Sequence, residues 1–162
     1  MPSDGSGYLS IRVQVGWGDC DPAGIVFYPR FYAWMDSVSH LLAREMGIGR
    51  VSMLRTATPL LGFPVVATRA QYTAPARMDD VLEVRTWVAR VGRTSLSLRH
   101  EILRIEPDDQ AVPIASGRED RVFIVQDQQG LRARELTPRM RAALARFADP
   151  RAEPAADGLQ RP

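Results

Sequence analysis

The 162-residue sequence contains no lysine, one cysteine and two histidines. Because Cys20 has no second cysteine to pair with, an intramolecular disulfide is excluded, and nothing argues for secretion. His40 and His100 have no metal-ligating residues at useful spacing, so no metal or redox cofactor is expected. No apolar run approaches the length of a membrane span, and Met1–Gly7 has no apolar signal core, which predicts a cytoplasmic protein without a membrane partner.

The charge is nearly balanced, with 21 basic residues, all of them arginine, against 19 acidic ones. Clustered arginines bind phosphate or carboxylate in a bidentate manner, although a GC-rich genome would give the same bias. No dense basic stripe with interleaved aromatics is present, so a nucleic-acid partner is not expected. The length predicts one domain over residues 8–147, with disordered tails at 1–7 and 149–162.

The hydrophobic pattern changes from strand to helix and back to strands. Residues Arg30–Met46 show one apolar helical face, and Gly47 is a natural stop for that helix. Alternating patterns predict strands at Tyr8–Trp17, Phe63–Tyr72, Val81–Val91, Thr94–Ile105 and Ala111–Gln126. Thr137 and Pro138 are typical of a cap and first residue of a last helix, which runs to Phe147. Ile48–Pro59 is ambiguous. The order predicts an α+β fold, an antiparallel five-stranded sheet wrapped around one long central helix.

The turn between the first strand and the long helix carries the most chemistry. Residues 18–29 read GDCDPAGIVFYP, with Asp21 just before a helix N-terminus. A carboxylate there can attack a polarised carbonyl or activate water, while free helix N–H groups stabilise the oxyanion. An Asx-turn or helix cap alone would also explain Asp21. Asp19 is interpreted as an organiser of the same loop.

Other hydrolytic chemistries find no support in the sequence. No Gly-x-Ser-x-Gly elbow is present, which argues against a serine α/β-hydrolase. His40 falls on the predicted helix and His100 in a predicted strand, where a packed or surface histidine is the expected interpretation. The oxygen ligands of an EF-hand are missing around Asp19 and Asp21.

Two stretches resemble known thioesterases. Residues Gly18–Tyr32 closely resemble the signature of the 4-hydroxybenzoyl-CoA thioesterase family, a branch of the hotdog fold. Tyr72–Val84 is similar to a stretch of the acyl-CoA thioesterases associated with the bacterial Tol-Pal system, which carry a histidine where Tyr28 stands. The resemblance extends from Ile11 to about Pro138. It implies a hotdog fold, with Asp21 as nucleophile or general base and the Tyr28 backbone N–H as oxyanion donor.

The same resemblance implies where coenzyme A binds. In the hydroxybenzoyl branch, three consecutive basic residues before a serine contact the nucleotide phosphates. The matching stretch here is Gly92-Arg93-Thr94-Ser95, which keeps one cation, while the hydroxyl of Thr94 and backbone N–H groups remain as donors. Arg132 falls where the family has another phosphate-binding arginine, and Arg134 is a second cation two residues further on.

The acyl group is less closely defined. The resemblance implies that Asp36 meets the para-hydroxyl of 4-hydroxybenzoate, in the apolar neighbourhood of Trp34. Phe63 stands where the branch has a threonine near the same ring, so the acyl group is expected to be benzoyl, another aryl or a short aliphatic group. A helix-surface carboxylate, or one that bonds a neighbouring strand, is the other interpretation of Asp36.

The sequence therefore predicts an acyl-CoA thioesterase that acts on an aromatic acyl-CoA. A broad short-chain acyl-CoA thioesterase and a non-catalytic acyl-CoA or acyl-ACP binding module remain the alternatives. Retention of Asp21 argues against a pure binder, because a carboxylate beside an anionic ligand gains nothing. The resemblance implies a homodimer or homotetramer with sites at the dimer interface, and oligomerisation is also physically sensible because a curved sheet leaves an edge exposed.

Overall fold

The computed structural model describes residues 7–48 and 60–151. The strands are β1 (Leu9–Gln14), β2 (Leu60–Gly62), β3 (Val65–Tyr72), β4 (Val81–Val91), β5 (Ser95–Ile105), β6 (Ala111–Val122), β7 (Ile124–Asp127) and β8 (Gly130–Ala133). The helices are α1 (Pro29–Glu45) and α2 (Pro138–Ala145), and a 3-10 turn covers Trp17–Asp19. No helix in this part of the chain is long and apolar enough to span a membrane.

Helix α1 is the long helix that the sequence predicts. Pro29 is its first residue, where a missing N–H costs nothing, and Gly47 follows its end with a φ of +78°. Its buried face consists of Phe31, Met35, Val38, Ser39 and Leu42. This face forms the centre of the hydrophobic core.

The main sheet has five antiparallel strands in the order β1-β4-β5-β6-β3. It wraps around α1, which contacts β1 and β4. On β6 the helix comes so close that a Cβ added at Gly117 would lie 2.3 Å from the sulfur of Met35. A side chain at position 117 would therefore displace the buried side chain of Met35. The predicted α+β architecture is confirmed.

The prediction of one strand over Ala111–Gln126 is wrong, because the chain changes sheet at Phe123. The Phe123 N–H donates to the Thr94 carbonyl at 2.7 Å, and its own carbonyl accepts from Arg134 N at 2.9 Å. Beyond this residue β7 pairs with β2 and β8 in a separate three-stranded sheet. Phe123 is buried, so the apolar pattern of the sequence continues through the break between β6 and β7. Sequence analysis therefore does not detect this break.

The C-terminal segment packs on the outer part of β4. The Thr137 hydroxyl accepts from Met140 N at 3.3 Å, so the predicted cap is confirmed. The folded part does not end before residue 149, because Asp149 is buried, pairs with Arg99 and donates its N–H to the Val88 carbonyl at 2.9 Å. The described structure therefore continues beyond residue 147 and includes Asp149. Residues 1–6, 152–162 and most of the ambiguous segment 48–59 lie outside the described residues.

Candidate active site

Asp21 lies in a tight turn between the 3-10 turn and α1. Its Oδ1 accepts from Ala23 N at 2.8 Å, and its N–H donates to the Ile25 carbonyl at 2.9 Å. Gly24 closes the turn with a φ of +74°, a conformation that favours glycine. The Asx-turn is therefore present, but it uses one carboxylate oxygen. Within residues 7–48 and 60–151, Oδ2 of Asp21 has no hydrogen-bond partner.

The start of α1 has an unused N–H beside this turn. Phe27 N donates to the Asp19 carbonyl at 2.8 Å, and Phe31 N donates to the Tyr28 carbonyl at 3.2 Å. Pro29 has no N–H, and Tyr28 N–H donates to no group of the described residues. Asp21, Phe27 and Pro29 line one cleft of about 610 Å³. The Asp21 carboxylate thus lines the same cleft as the two residues on either side of Tyr28.

Asp19 is bonded on both carboxylate oxygens. Its Oδ2 accepts from Gly16 N at 2.9 Å, and its Oδ1 lies 3.2 Å from Nε of Arg30. Arg30 also donates to the Gly18 carbonyl at 2.8 Å. These contacts tie the loop to the first turn of α1, in keeping with the interpretation of Asp19 as a loop organiser.

Asp36 and Phe63 line a second cavity of about 460 Å³, together with Arg121. The Phe63 ring stacks on that of Phe123, with centroids 5.0 Å apart. Trp34 lines neither of the two cavities, and its ring packs edge-on against Phe31 at 5.5 Å. Asp36 comes eight residues after Tyr28, about 12 Å along a helix. One chain therefore does not bring Asp21 and Asp36 into one cavity.

Arg121 is the residue of this cavity that sequence analysis missed. Its Nη2 donates to Asp36 Oδ1 at 2.6 Å, its Nε to Glu119 Oε2 at 2.9 Å and its Nη1 to the Phe63 carbonyl at 3.0 Å. Its side chain is 7% exposed, against 44% for Asp36. Asp36 thus bonds a neighbouring strand, as the alternative interpretation expected, and its Oδ2 lies 3.4 Å from Nδ1 of His40.

Glu119 continues this chain of charges into the core. Its Oε2 accepts from Ser39 Oγ at 3.0 Å and lies 3.5 Å from Nε2 of His100. His100 is fully buried, and its Nδ1 lies 2.8 Å from Thr86 Oγ1. Burial acts to raise the pKa of Glu119, but His100 and Arg121 outweigh it and lower that pKa to about 2. His100 is therefore a packed histidine, whereas His40 is an exposed one at 3.4 Å from Asp36.

The predicted phosphate-binding residues lie on two segments that meet. Arg93 and Thr94 form the turn between β4 and β5, and Ser95 begins β5. The Arg93 carbonyl accepts from Leu136 N at 3.0 Å, which joins this turn to the segment after β8. Arg132 lies on β8, where its Nη1 is 3.5 Å from Gln129 Oε1.

Exposed aromatic rings surround the start of α1. Phe27 and Tyr28 lie edge to face with centroids 5.3 Å apart, and Tyr32 is 6.5 Å from Tyr28. Tyr72, at the end of β3, packs against Phe31. Burial and the neighbouring Tyr32 raise the pKa of Tyr72 to about 12, so its hydroxyl stays protonated at neutral pH.

An antiparallel sheet wrapped around a single long helix, with a carboxylate turn at the start of that helix, defines a hotdog-fold protein. Residues 23–111 match the family model of the thioesterase superfamily. The chain belongs to the thioesterase superfamily and is an enzyme that hydrolyses thioesters.

Named relatives agree with this assignment. The chain is 30% identical over 128 residues to 4-hydroxybenzoyl-CoA thioesterase of Pseudomonas sp. strain CBS-3, covering 79% of this chain and 91% of that protein. A 4-hydroxybenzoyl-CoA thioesterase mutant crystallised with 4-hydroxybenzoyl-CoA superposes with a TM-score of 0.77 at 28% identity, covering 86% of this chain and 99% of that one. BH1999, a gentisyl-coenzyme A thioesterase, gives a TM-score of 0.67 at 32% identity, covering 84% and 98%.

Proposed function

We propose that this chain hydrolyses an aromatic acyl-CoA thioester to the free acid and CoA, with Asp21 as nucleophile or general base. One observation carries the proposal. The Asp21 carboxylate, with Oδ2 unpartnered in the described part of the chain, shares a cleft with the start of α1, where the Tyr28 N–H is unused. A carboxylate beside a helix start with a free N–H meets the two needs of thioester hydrolysis.

The proposed chemistry requires only these groups and water. Either Asp21 adds to the thioester carbonyl, or it removes a proton from a water molecule that adds. Both routes put negative charge on the carbonyl oxygen, which the Tyr28 N–H stabilises. The C–S bond then breaks and CoA leaves as the thiolate. After direct attack by Asp21, water cleaves the mixed anhydride and restores the carboxylate. No metal or redox cofactor takes part.

We propose that the acyl group binds in the cavity of Asp36 and Phe63. Arg121 holds Asp36 as a fixed hydrogen-bond acceptor, which suits an acyl group that carries a hydroxyl at its far end. The stacked rings of Phe63 and Phe123 suit an aromatic plane. Two relatives named for hydroxylated aromatic acyl-CoA substrates support this choice. Arg93, Thr94, Ser95 and Arg132 are proposed to hold the CoA phosphates.

We propose further that two chains complete the site. Within one chain the Asp21 cleft and the Asp36 cavity have no lining residue in common. Strand β3 lies at the edge of the sheet with Val65, Val66 and Tyr72 exposed, and an exposed apolar edge strand favours pairing with a second copy. A homodimer is therefore proposed, whereas the tetramer and the cytoplasmic location stay predictions from the sequence.

The test is thiol release from benzoyl-, 4-hydroxybenzoyl-, phenylacetyl-, butyryl- and palmitoyl-CoA by wild type and by Asp21→Asn. The asparagine keeps the Oδ1 acceptor for Ala23 N, so the turn and the melting temperature should persist. Loss of the base or nucleophile should lower kcat by about 10²- to 10⁴-fold. Asp108→Asn is the matched control, because Asp108 accepts from Gln110 N at 3.2 Å in a similar turn far along the sequence.

Each outcome has a separate meaning. Aryl-selective hydrolysis that is lost in Asp21→Asn and kept in Asp108→Asn supports the whole proposal. Equal activity on butyryl-CoA would favour the broad short-chain thioesterase. Turnover that survives in Asp21→Asn would refute the role of Asp21. No thiol release from any of the five esters would favour an ACP-bound substrate or a binding module.

A further inference from the structure

The turn between β4 and β5 has little net positive charge of its own. Its one cation, Arg93, lies with Nη1 2.7 Å from Oε1 of Glu135, and both side chains are largely exposed. A second cation at position 92 would displace the Ser95 hydroxyl, because a Cβ added at Gly92 would lie 2.7 Å from Ser95 Oγ. The turn proposed to bind the dianionic and monoanionic phosphates of CoA therefore presents an almost neutral surface from its own residues.

A second arginine reaches this turn from α2. Nη2 of Arg141 donates to the Gly92 carbonyl at 2.9 Å and to the Arg93 carbonyl at 3.2 Å. Its side chain is half-buried against the turn. In the part of the chain that the structure describes, no carboxylate pairs with Arg141, and its Nε and Nη1 make no hydrogen bond. Arg141 thus adds a positive charge that no acidic group of residues 7–48 and 60–151 compensates.

We propose that Arg141 binds and positions the nucleotide end of the acyl-CoA, an inference that rests on the proposed function. Its two bonds to carbonyl oxygens hold the shape of the turn that carries Arg93 and Thr94. Its charge, with Nε and Nη1 still able to donate, draws the phosphates to that turn. Arg141 thus brings a second cation to the turn from α2, a helix that begins more than forty residues later in the chain.

The competing explanation is that Arg141 only docks α2 onto the sheet. The two differ in what they predict for a substrate that lacks the nucleotide. A docking residue would affect every substrate alike, whereas a phosphate-binding residue would affect only substrates with phosphates. The same acyl group on CoA and on pantetheine therefore separates the two explanations.

The experiment measures the ratio of kcat/KM for the CoA ester to that for the pantetheine ester. Arg141→Leu should lower this ratio about tenfold at low salt and less at high salt, because one partly exposed charge is lost. Arg141→Lys should keep most of the ratio. Glu135→Gln should raise it, because Arg93 is released for the phosphates. Arg139→Leu removes an exposed arginine of the same helix and should leave the ratio near that of wild type.

An equal loss on both esters in Arg141→Leu would overturn the proposal, as would an equal drop in the ratio in Arg139→Leu. If Arg141→Leu does not fold, Arg141→Gln takes its place, because glutamine keeps a donor for the two carbonyls without the charge, and an unchanged ratio in that variant would overturn the proposal. Calorimetric binding of CoA and of pantetheine separates this inference from the proposed function. If wild type hydrolyses neither ester, the proposed function fails. A loss of CoA affinity in Arg141→Leu, with pantetheine affinity kept, would then still support the role of Arg141, and equal affinities for wild type and variant would overturn it.

Discussion

Replacing Arg121 by leucine tests the buried charges of the acyl cavity. The change leaves Glu119, which is only 3% exposed, without its cationic partner and removes the donor to the Phe63 carbonyl. Breaking a buried ion pair from one side costs about 3–5 kcal/mol, because the remaining charge stays desolvated. For a domain of this size each kcal/mol lowers the melting temperature by about 2–4 °C, so the expected loss is about 6–20 °C.

Two further variants test whether the fall in melting temperature of Arg121→Leu comes from the buried charges. Arg118→Leu is the matched control, because Arg118 precedes Arg121 on the same strand and pairs with Asp120 at 3.6 Å on the exposed face. Its loss should stay below about 1 kcal/mol. Glu119→Leu combined with Arg121→Leu removes both charges and should recover most of the stability. Thermal and urea unfolding followed by circular dichroism measure all three. A melting temperature of Arg121→Leu within about 4 °C of Arg118→Leu would refute the reasoning.

Three other predictions concern the substrate and pH. Phe63→Thr should raise the preference for 4-hydroxybenzoyl-CoA over benzoyl-CoA by a few-fold, because a hydroxyl replaces a ring, and an unchanged preference would remove Phe63 from the pocket. Arg93→Ala and Arg132→Ala should raise KM with little change in kcat, most strongly at low salt, and KM values equal to wild type would move the phosphate site elsewhere. The pKa of Glu119 is about 2 in the folded chain, against about 4.3 when unfolded. Its contribution to the free energy of unfolding is therefore present above about pH 4.3 and is lost as the pH falls toward 2. Urea unfolding from pH 5 to pH 3 should show a steeper decline for wild type than for Glu119→Gln, and parallel slopes would contradict this.

The elements that sequence analysis predicted well are those with a clear periodicity. Strand β4 has the predicted bounds, because Val81–Val91 alternates along its length and ends at Gly92. Helix α1 differs from its prediction by one residue at each end. The break at Phe123 was missed because it depends on hydrogen bonds to Thr94 and Arg134, which are distant in sequence or lie beyond the next turn.

The residues of the candidate site also form two groups, those that sequence analysis predicted and those that it missed. Asp21 and the start of α1 are neighbours in the chain, so one motif predicts both. Arg121 and Glu119 belong to a run of four charges, Arg118–Arg121, that looks solvent-exposed in sequence. Their burial depends on contacts with Asp36 and His100, which come from other elements. Contacts between different elements leave no pattern in the sequence of either segment.

The buried charges also have a consequence for how the sheet assembles. Glu119 lies opposite Leu98 and Arg121 opposite Leu96 in the ladder of β5 and β6. A shift of β6 by one residue would turn Arg118 and Asp120 inward and carry Glu119 and Arg121 to the solvent face. Asp36 and His100 would then lose their partners in the core. Because of these hydrogen-bonded charges, a one-residue shift of β6 costs more free energy than the same shift of an apolar strand would. The charges beside the acyl cavity therefore help the chain select its strand register.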